Sequence, residues 1–342
     1  MMNHYPNRIL QIKALLEGGD DAHLSLHETS KSWIFIGQDY VYKLKKPVRD
    51  ELQDLTSLRA RFDNCMTEID LNRRLAEDTY LRLVRIVRDP CGQLGLGGTA
   101  ETVDWLIKMR RLPADQMLDV VAVDLPRADG DLPATIGEIA ARLSAFYAKC
   151  PASNLNATEL ATIILDQQEM NFATLRHAMF KEHHPRFEAV QAAFKTTFFK
   201  HFNLFEDRVA KGWIRECHGD LRPEHICLTD PPVIFDCLEF NRNLRMVDPF
   251  SEIVFLGMEA EVLGAGWIKT ALVQGLSSGL SHHPDPDLLA LYEAIHAVLR
   301  TRLCLAHLLV PNPRKPQKWL PLGLRYIELA ERRLFGPDGV AL

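Results

Sequence analysis

The chain contains 342 residues, of which 47% are hydrophobic and 25% are charged. A chain of this length and composition can bury a large core, and it forms one large domain or two smaller ones. The formal net charge is −5 at pH 7 and no long basic run occurs. The electrostatics therefore give no indication of a nucleic-acid or anionic-membrane partner, and small polar ligands remain open.

Cysteine usage and the N-terminal sequence indicate a protein of the reducing cytoplasm. The seven cysteines form no CxxC pair and leave an odd one out, which argues against a disulfide framework or a zinc ribbon. The N-terminus lacks the apolar core of a signal peptide, and no stretch approaches the roughly 20 apolar residues that span a bilayer. We therefore expect a cytoplasmic protein without a membrane partner. The sequence does not indicate its oligomeric state.

The first 110 or so residues predict a small antiparallel sheet with one helix. Residues 32–46 read SWIFIGQDYVYKLKK, in which two β-branched and aromatic runs flank a Gly-Gln-Asp turn, as is typical of a hairpin. Lys43 would lie on its second strand. Residues 57–76 place apolar or small residues at helical spacing. Residues 80–87 and 103–109 are short apolar runs separated by a glycine-rich stretch, and they predict another pair of strands.

The second part of the chain is predicted to be mainly α-helical. Helical patterns begin near residue 136 and return over residues 251–335. They are interrupted by residues 217–241, CHGDLRPEHICLTDPPVIFDCLEFN, where two strand-like runs surround polar residues and a Pro-Pro turn. We find no internal repeat and no GxxxxGK[ST] phosphate loop. A polar insert between buried strands indicates a chemical role.

The polar insert resembles a kinase catalytic loop. In residues 218–225, HGDLRPEH, Asp220 is followed five positions later by His225, which takes the position of a magnesium ligand. Arg222 lies where protein kinases often have a lysine, and its fixed charge could contact the transferring phosphate. Asp236 ends an apolar strand and offers a hard oxygen ligand for Mg²⁺. Phosphoryl transfer needs these groups to orient the acceptor hydroxyl and neutralise phosphate charge.

A lysine and a glutamate in the first part of the chain complete this set. Lys43 on a hairpin strand and Glu68 on the following helix could form the pair in which the lysine reaches the α and β phosphates while the glutamate holds it. Lys45 and the lysine after it leave open that this charged run is only a solvated face. Asp70 and Glu77 on the same helix leave the choice of the glutamate open.

Taken together, these residues resemble the aminoglycoside phosphotransferase family, whose catalytic loop reads HGD where protein kinases usually read HRD. The resemblance covers most of the chain. More narrowly, the chain resembles a bacterial subgroup of this family that is related to bifunctional proteins. Those proteins carry an additional C-terminal P-loop ATPase domain, and we expect this chain to lack that domain. The stretches that carry the resemblance to this subgroup are SWIFIGQDYVYKLKKPV, EIDLNRRLAEDTYL, DWLIKMRRLPADQMLD, HGDLRPEHICL and FDCLEFNRNLRMVDPFSEIVFL.

The resemblance implies an α+β, two-lobed protein-kinase-like fold. Its small antiparallel-sheet N-lobe would span residues 1–112 and its mainly helical C-lobe residues 113–342, with the hinge around Met109 to Leu112. It also implies an enzyme that moves the γ-phosphate of ATP, or of GTP, to a hydroxyl of a small molecule with the help of Mg²⁺. The fold does not choose among acceptors.

The resemblance also assigns roles to individual residues. Asp220 takes the position of the catalytic base, with Arg222 beside it in the same loop. Lys43 and Glu68 form the phosphate clamp, and Asp236 is a metal ligand.

Two departures from the family pattern concern phosphate and metal binding. His225 stands where the family usually has Asn. Because Mg²⁺ prefers oxygen, His225 would weaken the second metal position or favour Mn²⁺; equally, it could be a buried histidine that hydrogen bonds the catalytic loop. The loop of residues 26–32, LHETSKS, lacks glycines whose amides could close on phosphates. Side chains such as Ser30 and Ser32 would then hold them.

Four further polar residues near the loop invite a functional interpretation. We expect His218 to be structural and Glu252 to support the loop. Glu239 and Asp248 could coordinate a second cation, or they could cap the following helix or pair with nearby arginines.

Two rival functions remain open at this point. The first is a catalytically silent nucleotide-binding module, which His225 and the missing glycines would suit. The second is transfer to a protein, or transfer of another part of the nucleotide such as AMP.

Overall fold

A computed structural model of the chain describes residues 5–19, 23–123 and 131–335. Its contacts divide the chain into two compact units. The first, here called the sheet unit, comprises Met1–Leu118 and His225–Leu244. The second, here called the helical unit, comprises Asp119–Glu224 and Arg245–Leu342.

The sheet unit contains helix α1, Tyr5–Glu17, and helix α2, Leu58–Arg73. Its main strands are β1 (Ser25–Glu28), β2 (Ser32–Ile36), β3 (Tyr40–Lys45), β4 (Tyr80–Arg88), β5 (Leu94–Leu96) and β6 (Glu101–Arg110). These strands form one six-stranded sheet in the order β1-β2-β3-β6-β4-β5, in which every neighbouring pair is antiparallel. The predicted hairpin and the predicted pair of strands are therefore confirmed. Strand β1 occupies part of the loop expected at residues 26–32.

The hairpin of β2 and β3 divides its side chains between two faces of the sheet. Successive residues of a strand point to opposite faces, and Phe35, Tyr42 and Leu44 point into a core that includes Ile12 and Leu16 of α1. The other face is therefore the one that carries the lysines of β3.

Helix α2 covers that other face. Its N-terminus is capped by Ser57, whose side chain accepts a hydrogen bond from a backbone N–H of the first turn. Cys65 of α2 packs with Tyr80 and Ile107 of the sheet. Glu68 lies about one helical turn beyond Cys65 and is fully buried. The helix predicted over residues 57–76 is confirmed.

The segment of residues 225–244 belongs to the sheet unit. It contains β8, Ile226–Cys227, which pairs with β9, Val233–Ile234, and it follows β7, Arg215–Glu216, of the helical unit. The backbone N–H of Leu228 donates to the carbonyl of Gln116 at 2.8 Å. Such hydrogen bonds join residues 225–244 to the sheet unit. The compact units therefore differ at this segment from the predicted lobes, which were divided at residue 112. That division, with its hinge, stays a prediction.

The helical unit is built mainly from helices, as predicted. They are α3 (Leu118–Val123), α4 (Leu132–Lys149), α5 (Ala157–Leu175), α6 (His184–Lys200), α7 (Phe202–Ala210), α8 (Pro249–Val262), α9 (Trp267–Gly279), α10 (Pro286–Ala306) and α11 (Pro316–Leu334). Strand β7 pairs with β10, Met246–Val247. Buried aromatic side chains, among them Phe172, Phe198 and Phe205, form much of the core.

Short 3₁₀ helices occur at Ala114–Gln116, Ala178–His183, Pro223–His225 and Arg242–Arg245. None of the helices in the described ranges combines the length and the apolar character that crossing a membrane would require.

Small residues allow helices α4 and α9 to pack closely. A Cβ atom built on Gly275 of α9 would lie 2.5 Å from the Cβ of Ala140 in α4, and one built on Gly279 would overlap the side chain of Ser144. Both pairs are spaced by four residues, so they lie on one stripe of each helix. The crossing of these helices therefore depends on the missing side chains.

We predict that Gly275→Ala lowers the free energy of unfolding by about 1–3 kcal/mol, because the clash with Ala140 outweighs the gain in helix propensity. Gly137→Ala is the matched control, since nothing lies within 4 Å of a Cβ built at this position of α4. The control should be neutral or stabilising by up to about 1 kcal/mol. Urea unfolding of both variants checks this, and equal stabilisation by both would contradict the close packing.

Candidate active site

Three segments that are distant in the sequence meet at Lys43 of the sheet unit. The Lys43 Nζ atom lies 2.8 Å from Glu68 Oε1 and 3.2 Å from Asp236 Oδ1. The sequence predicted Lys43 and Glu68 as a pair and Asp236 as a separate metal ligand. The structure brings all three together around one ammonium group.

A second lysine shares the same buried glutamate. Lys45 Nζ contacts Glu68 Oε2 and also Glu239 Oε1. Lys45 and Lys43 are two positions apart on β3, so their side chains leave the same face of the sheet. The possibility that this lysine run is only a solvated face is therefore wrong for Lys45, which is buried. The alternation of side chains along a strand, applied to the sequence VYKLKK, could have predicted that Lys45 lies on the same face as Lys43.

Ion pairing keeps these groups charged. Burial alone would lower the pKa of the Lys43 ammonium, but the carboxylates of Asp236 and Glu68 raise it well above its ordinary value. Burial likewise opposes charge on Lys45, and Glu68 raises the pKa of that ammonium. Both lysines are therefore cations at neutral pH.

Asp236 is an open and ionised carboxylate. Its side chain is 40% exposed, whereas that of Glu68 is fully buried. Desolvation alone would raise the pKa of the Asp236 carboxyl, but Lys43 and then His225 hold it well below its usual range. Its backbone lies in the left-handed region, with φ of 61°, a conformation that non-glycine residues adopt at a cost and that is concentrated at functional sites.

His225 lies beside Asp236. Its Nε2 atom is 3.5 Å from Asp236 Oδ2, and its ring packs near Phe235, with the ring centroids 6.1 Å apart. The backbone carbonyl of His225 accepts a hydrogen bond from the N–H of Phe235 at 3.0 Å. The structure thus joins the two residues that the sequence nominated for metal binding. A buried structural role for His225 fits the same contacts.

The carboxylate of Asp236 is of the kind that could hold a magnesium ion. Within residues 5–19, 23–123 and 131–335, no group of three or more His, Cys, Asp or Glu side chains is arranged to hold a metal ion. Mg²⁺ is usually bound through one or two carboxylates together with substrate phosphates and water, rather than by a complete protein cage. An exposed, ionised Asp236 meets that requirement, while the imidazole of His225 suits a softer ion better.

Residues 218–224, which contain the HGD sequence, lie in the helical unit, and this loop is held through its backbone. The carboxylate of Glu252 accepts hydrogen bonds from the backbone N–H groups of His218, at 3.1 Å, and of Gly219. Tyr147 donates to the same carboxylate at 2.8 Å. Gly219 has φ of 89°, a conformation that favours glycine. The prediction that Glu252 supports the loop is confirmed. His218 is buried, and its structural role stays a prediction.

Asp220 and Arg222 are paired within this loop. Arg222 Nε lies 2.9 Å from Asp220 Oδ1, and its Nη2 donates to Asp220 Oδ2 at 3.0 Å. Arg222 also contacts the carboxylate of Glu224. Burial opposes charge on Arg222, whereas Asp220 and Glu224 raise the pKa of its guanidinium. The sequence predicted both loop residues but not their mutual pairing.

The turn between β1 and β2 has an internal hydrogen-bond network. The Thr29 hydroxyl accepts from the backbone N–H groups of Lys31 and Ser32. Ser30 is exposed, whereas Ser32 is buried and its hydroxyl makes no hydrogen bond in the described part of the chain. Phosphate binding by these two serines stays a prediction.

Asp248 caps the following helix and pairs with an arginine, which was the structural alternative to binding a second cation. It caps α8 through the backbone N–H of Phe250 at 2.9 Å, and it accepts from Arg208 and from Tyr292. Glu239, by contrast, pairs with Lys45.

Comparison with solved structures identifies the architecture. APH(2")-IIia, in complex with GDP and kanamycin, matches with a TM-score of 0.54 at 14% identity, covering 96% of this chain and 99% of the other. A choline/ethanolamine kinase family protein from Mesorhizobium loti matches with a TM-score of 0.56 at 14% identity, covering 97% and 96%. The chain has a protein-kinase-like fold. The predicted fold class is thereby confirmed.

Choline kinase LicA from Streptococcus pneumoniae has the same kinase-like fold, with a TM-score of 0.53 at 12% identity and coverage of 93% of this chain and 97% of that one. At such identities the likeness establishes the fold alone.

Sequence comparison adds relatives of greater length. No family model matches the sequence. The uncharacterized proteins Rv2004c of Mycobacterium tuberculosis and Mb2027c of Mycobacterium bovis are each 30% identical to it over 292 residues, which is 83% of this chain. The match covers 55% of each relative, so the chain spans about half the length of the curated relatives it matches.

We predict that Glu252→Ala lowers the free energy of unfolding by about 3 kcal/mol, because it leaves two backbone N–H groups and a tyrosine hydroxyl without their buried acceptor. Glu138→Ala, at an exposed position of α4, is the control and should change stability by no more than about 0.5 kcal/mol. Chemical denaturation measures both. A small effect of Glu252→Ala would show that the kinase-like loop does not depend on this carboxylate.

The lowered pKa of Asp236 predicts a pH dependence of stability. The folded protein favours the ionised carboxylate, so the stabilisation is complete above the pKa of an unfolded Asp, about 3.9, and is lost as the pH falls through the lower folded value. The stability difference between wild type and Asp236→Asn should therefore be largest near neutral pH and shrink towards pH 3. Unfolding measured across this range checks the prediction, and a difference independent of pH would contradict it.

Proposed function

We propose that the chain is an ATP-dependent phosphotransferase that moves the γ-phosphate to a hydroxyl group of a small molecule. The observation that carries this proposal is the pairing of Lys43 with both Glu68 and Asp236. A buried glutamate, a charged lysine and an exposed carboxylate from three distant segments are the parts that nucleotide phosphates and their metal ion require.

On the nucleotide side, Lys43 would supply positive charge to the phosphates while Glu68 holds its ammonium group. The raised pKa of Lys43 supports this role, because the cation persists at every physiological pH. Asp236 would hold Mg²⁺, with His225 beside it. The ion, when bound, neutralises charge on the nucleotide phosphates.

On the acceptor side, Asp220 would orient the hydroxyl and accept its proton. The side chain of Asp220 is partly exposed, as a group that meets a substrate must be. Arg222 is ion-paired with the Asp220 carboxylate and would compensate negative charge as the phosphate transfers. The Glu252 carboxylate holds the loop backbone behind them.

The acceptor class and the nucleotide are finer parts of the proposal. The solved neighbours carry the names of aminoglycoside and choline or ethanolamine kinases, which supports an acceptor that is a small molecule with a hydroxyl group. Some solved neighbours are complexes with GDP, so GTP is the alternative donor to ATP. Membership of the bacterial subgroup related to bifunctional proteins rests on the sequence motifs and stays a proposal. A cytoplasmic location rests on cysteine usage and the N-terminal sequence, and it stays a proposal too.

A silent nucleotide-binding module is the second candidate. The observation that favours it is the two-point pairing of Arg222 with Asp220, which occupies the carboxylate that the acceptor hydroxyl would need. His225 in place of the usual asparagine points the same way. Such a module would bind ATP and transfer no phosphate.

The test compares Asp220→Asn with the wild type and with Asp207→Asn, an exposed carboxylate of α7. Each protein is incubated with Mg²⁺ or Mn²⁺, ATP or GTP, and a panel of aminoglycosides, amino alcohols and sugars. We expect wild type and control to transfer phosphate to one acceptor class, and Asp220→Asn to lose about 10²–10⁴-fold in kcat while its nucleotide affinity, measured by calorimetry, is unchanged.

Two results would contradict the proposed reaction. Turnover by Asp220→Asn equal to that of the wild type would remove Asp220 from the mechanism. Nucleotide binding without transfer to any acceptor, protein or water would favour the silent module, and labelled AMP on a product would show a different group transfer.

A further inference from the structure

The buried carboxylate of Glu68 is shared between two lysines that lead to the same loop. Its Oε1 holds Lys43, which continues to Asp236, and its Oε2 holds Lys45, which continues to Glu239. Two parallel arms therefore connect α2 with the segment that follows β9. The sequence predicts only the Lys43–Glu68 pair of the first arm.

The two arms differ in their access to solvent. In the first arm the side chain of Lys43 is 15% exposed and that of Asp236 is 40% exposed. In the second arm the corresponding values are 3% for Lys45 and 12% for Glu239. Lys45 is too deeply buried in this state to contact a phosphate. The open arm can meet a ligand, and the closed arm can only hold structure.

The closed arm holds the backbone next to the metal-ligand candidate. The N–H of Cys237, directly after Asp236, donates to Asn72 Oδ1 at 2.8 Å, and the Asn72 amide donates to the carbonyl of Glu68 at 2.8 Å. The Lys45 contact with Glu239 adds a second attachment two residues further along. Both attachments restrain a segment whose backbone at Asp236 is in the left-handed region.

We propose that Lys45 is a positioning residue that ties Glu239 to Glu68 and thereby holds the Asp236 carboxylate ready for a divalent cation. This inference rests on the proposed nucleotide function. Lys45 also keeps a cationic partner on Glu68 when Lys43 turns towards phosphate, so the buried carboxylate is never left unpaired. The three carboxylates and two ammonium groups of the arms leave one net negative charge, which favours an added cation.

The test is a double-mutant cycle with Lys45→Met and Glu239→Gln. ATP affinity of each protein is measured by calorimetry with Mg²⁺ and, in EDTA, without it. We expect each single variant to lose about 10- to 100-fold of the Mg²⁺-dependent gain in affinity, the range found when a residue that orients a metal ligand is removed. Metal-free ATP affinity should not change. The double variant should lose no more than either single variant, because both remove one tether.

Two further variants serve as controls. Lys46→Met removes the neighbouring lysine, whose side chain contacts Glu28 and the Thr29 carbonyl instead, and it should leave the Mg²⁺ dependence unchanged. Lys45→Arg keeps the positive charge, and this variant should retain most of the Mg²⁺-dependent gain in ATP affinity. If Lys45→Met does not fold, Glu239→Gln and Lys45→Arg decide the outcome, since neither leaves a buried carboxylate without a cation.

Hydrogen exchange gives a readout that needs neither metal nor nucleotide. We expect amides of residues 235–240 to exchange faster in Lys45→Met and in Glu239→Gln than in the wild type or Lys46→Met, because the segment has lost one of its attachments. Unchanged exchange rates in both variants would contradict the proposal that the contact between Lys45 and Glu239 restrains this segment.

Three binding results would overturn the proposal in different ways. Loss of the Mg²⁺ dependence in Glu239→Gln but not in Lys45→Met would show that Glu239 acts on the metal directly. An equal loss with and without Mg²⁺ in Lys45→Met would place Lys45 in phosphate binding. If the wild type binds no nucleotide under either condition, both the proposed function and this inference are refuted. If the wild type binds nucleotide and the variants keep its Mg²⁺ dependence, the inference alone is refuted.

Discussion

The buried carboxylate of Glu68 is the group on which the rest of the candidate site depends. An ion of this kind costs several kcal/mol to desolvate unless its oxygens are paired. Lys43 and Lys45 each hold one oxygen, and their positions on one face of β3 follow from the strand period of two residues. The helix, the strand and the loop after β9 can form this network only when each has its correct register.

A second buried carboxylate organises the helical unit by different means. Glu252 faces backbone N–H donors of His218 and Gly219 and the hydroxyl of Tyr147, where Glu68 faces ammonium groups. Hydrogen bonds from backbone groups fix a loop conformation because the donors cannot rotate away. The partners of Glu68 are instead ammonium groups at the ends of flexible lysine stems. Each unit thus holds its polar groups with a buried carboxylate, through backbone donors in the helical unit and through lysine side chains in the sheet unit.

The sequence predicts local structure better than it predicts long-range contacts. The hairpin, helix α2 and the HGD loop follow from residue periodicity, turn residues and motif spacing, which act over a few residues. The attachment of residues 225–244 to the sheet unit depends on hydrogen bonds to Gln116 and Asn72, more than a hundred residues away, and no local pattern indicates them. Lys45 is predictable only in part. The face of the sheet on which it lies follows from strand alternation, but its contact with Glu239, a distant residue, does not.

Exposure to solvent separates the buried groups of the network from Asp236, whose side chain is 40% exposed. Asp236 stays open and ionised because Lys43 and His225 lower its pKa without covering it. Its left-handed backbone costs of order 1–3 kcal/mol, a strain that persists only where surrounding contacts over-determine it. The Asn72 hydrogen bond and the Lys45 pair supply those contacts on the side away from solvent. The closed arm thus restrains the backbone of a loop whose carboxylate, that of Asp236, remains 40% exposed.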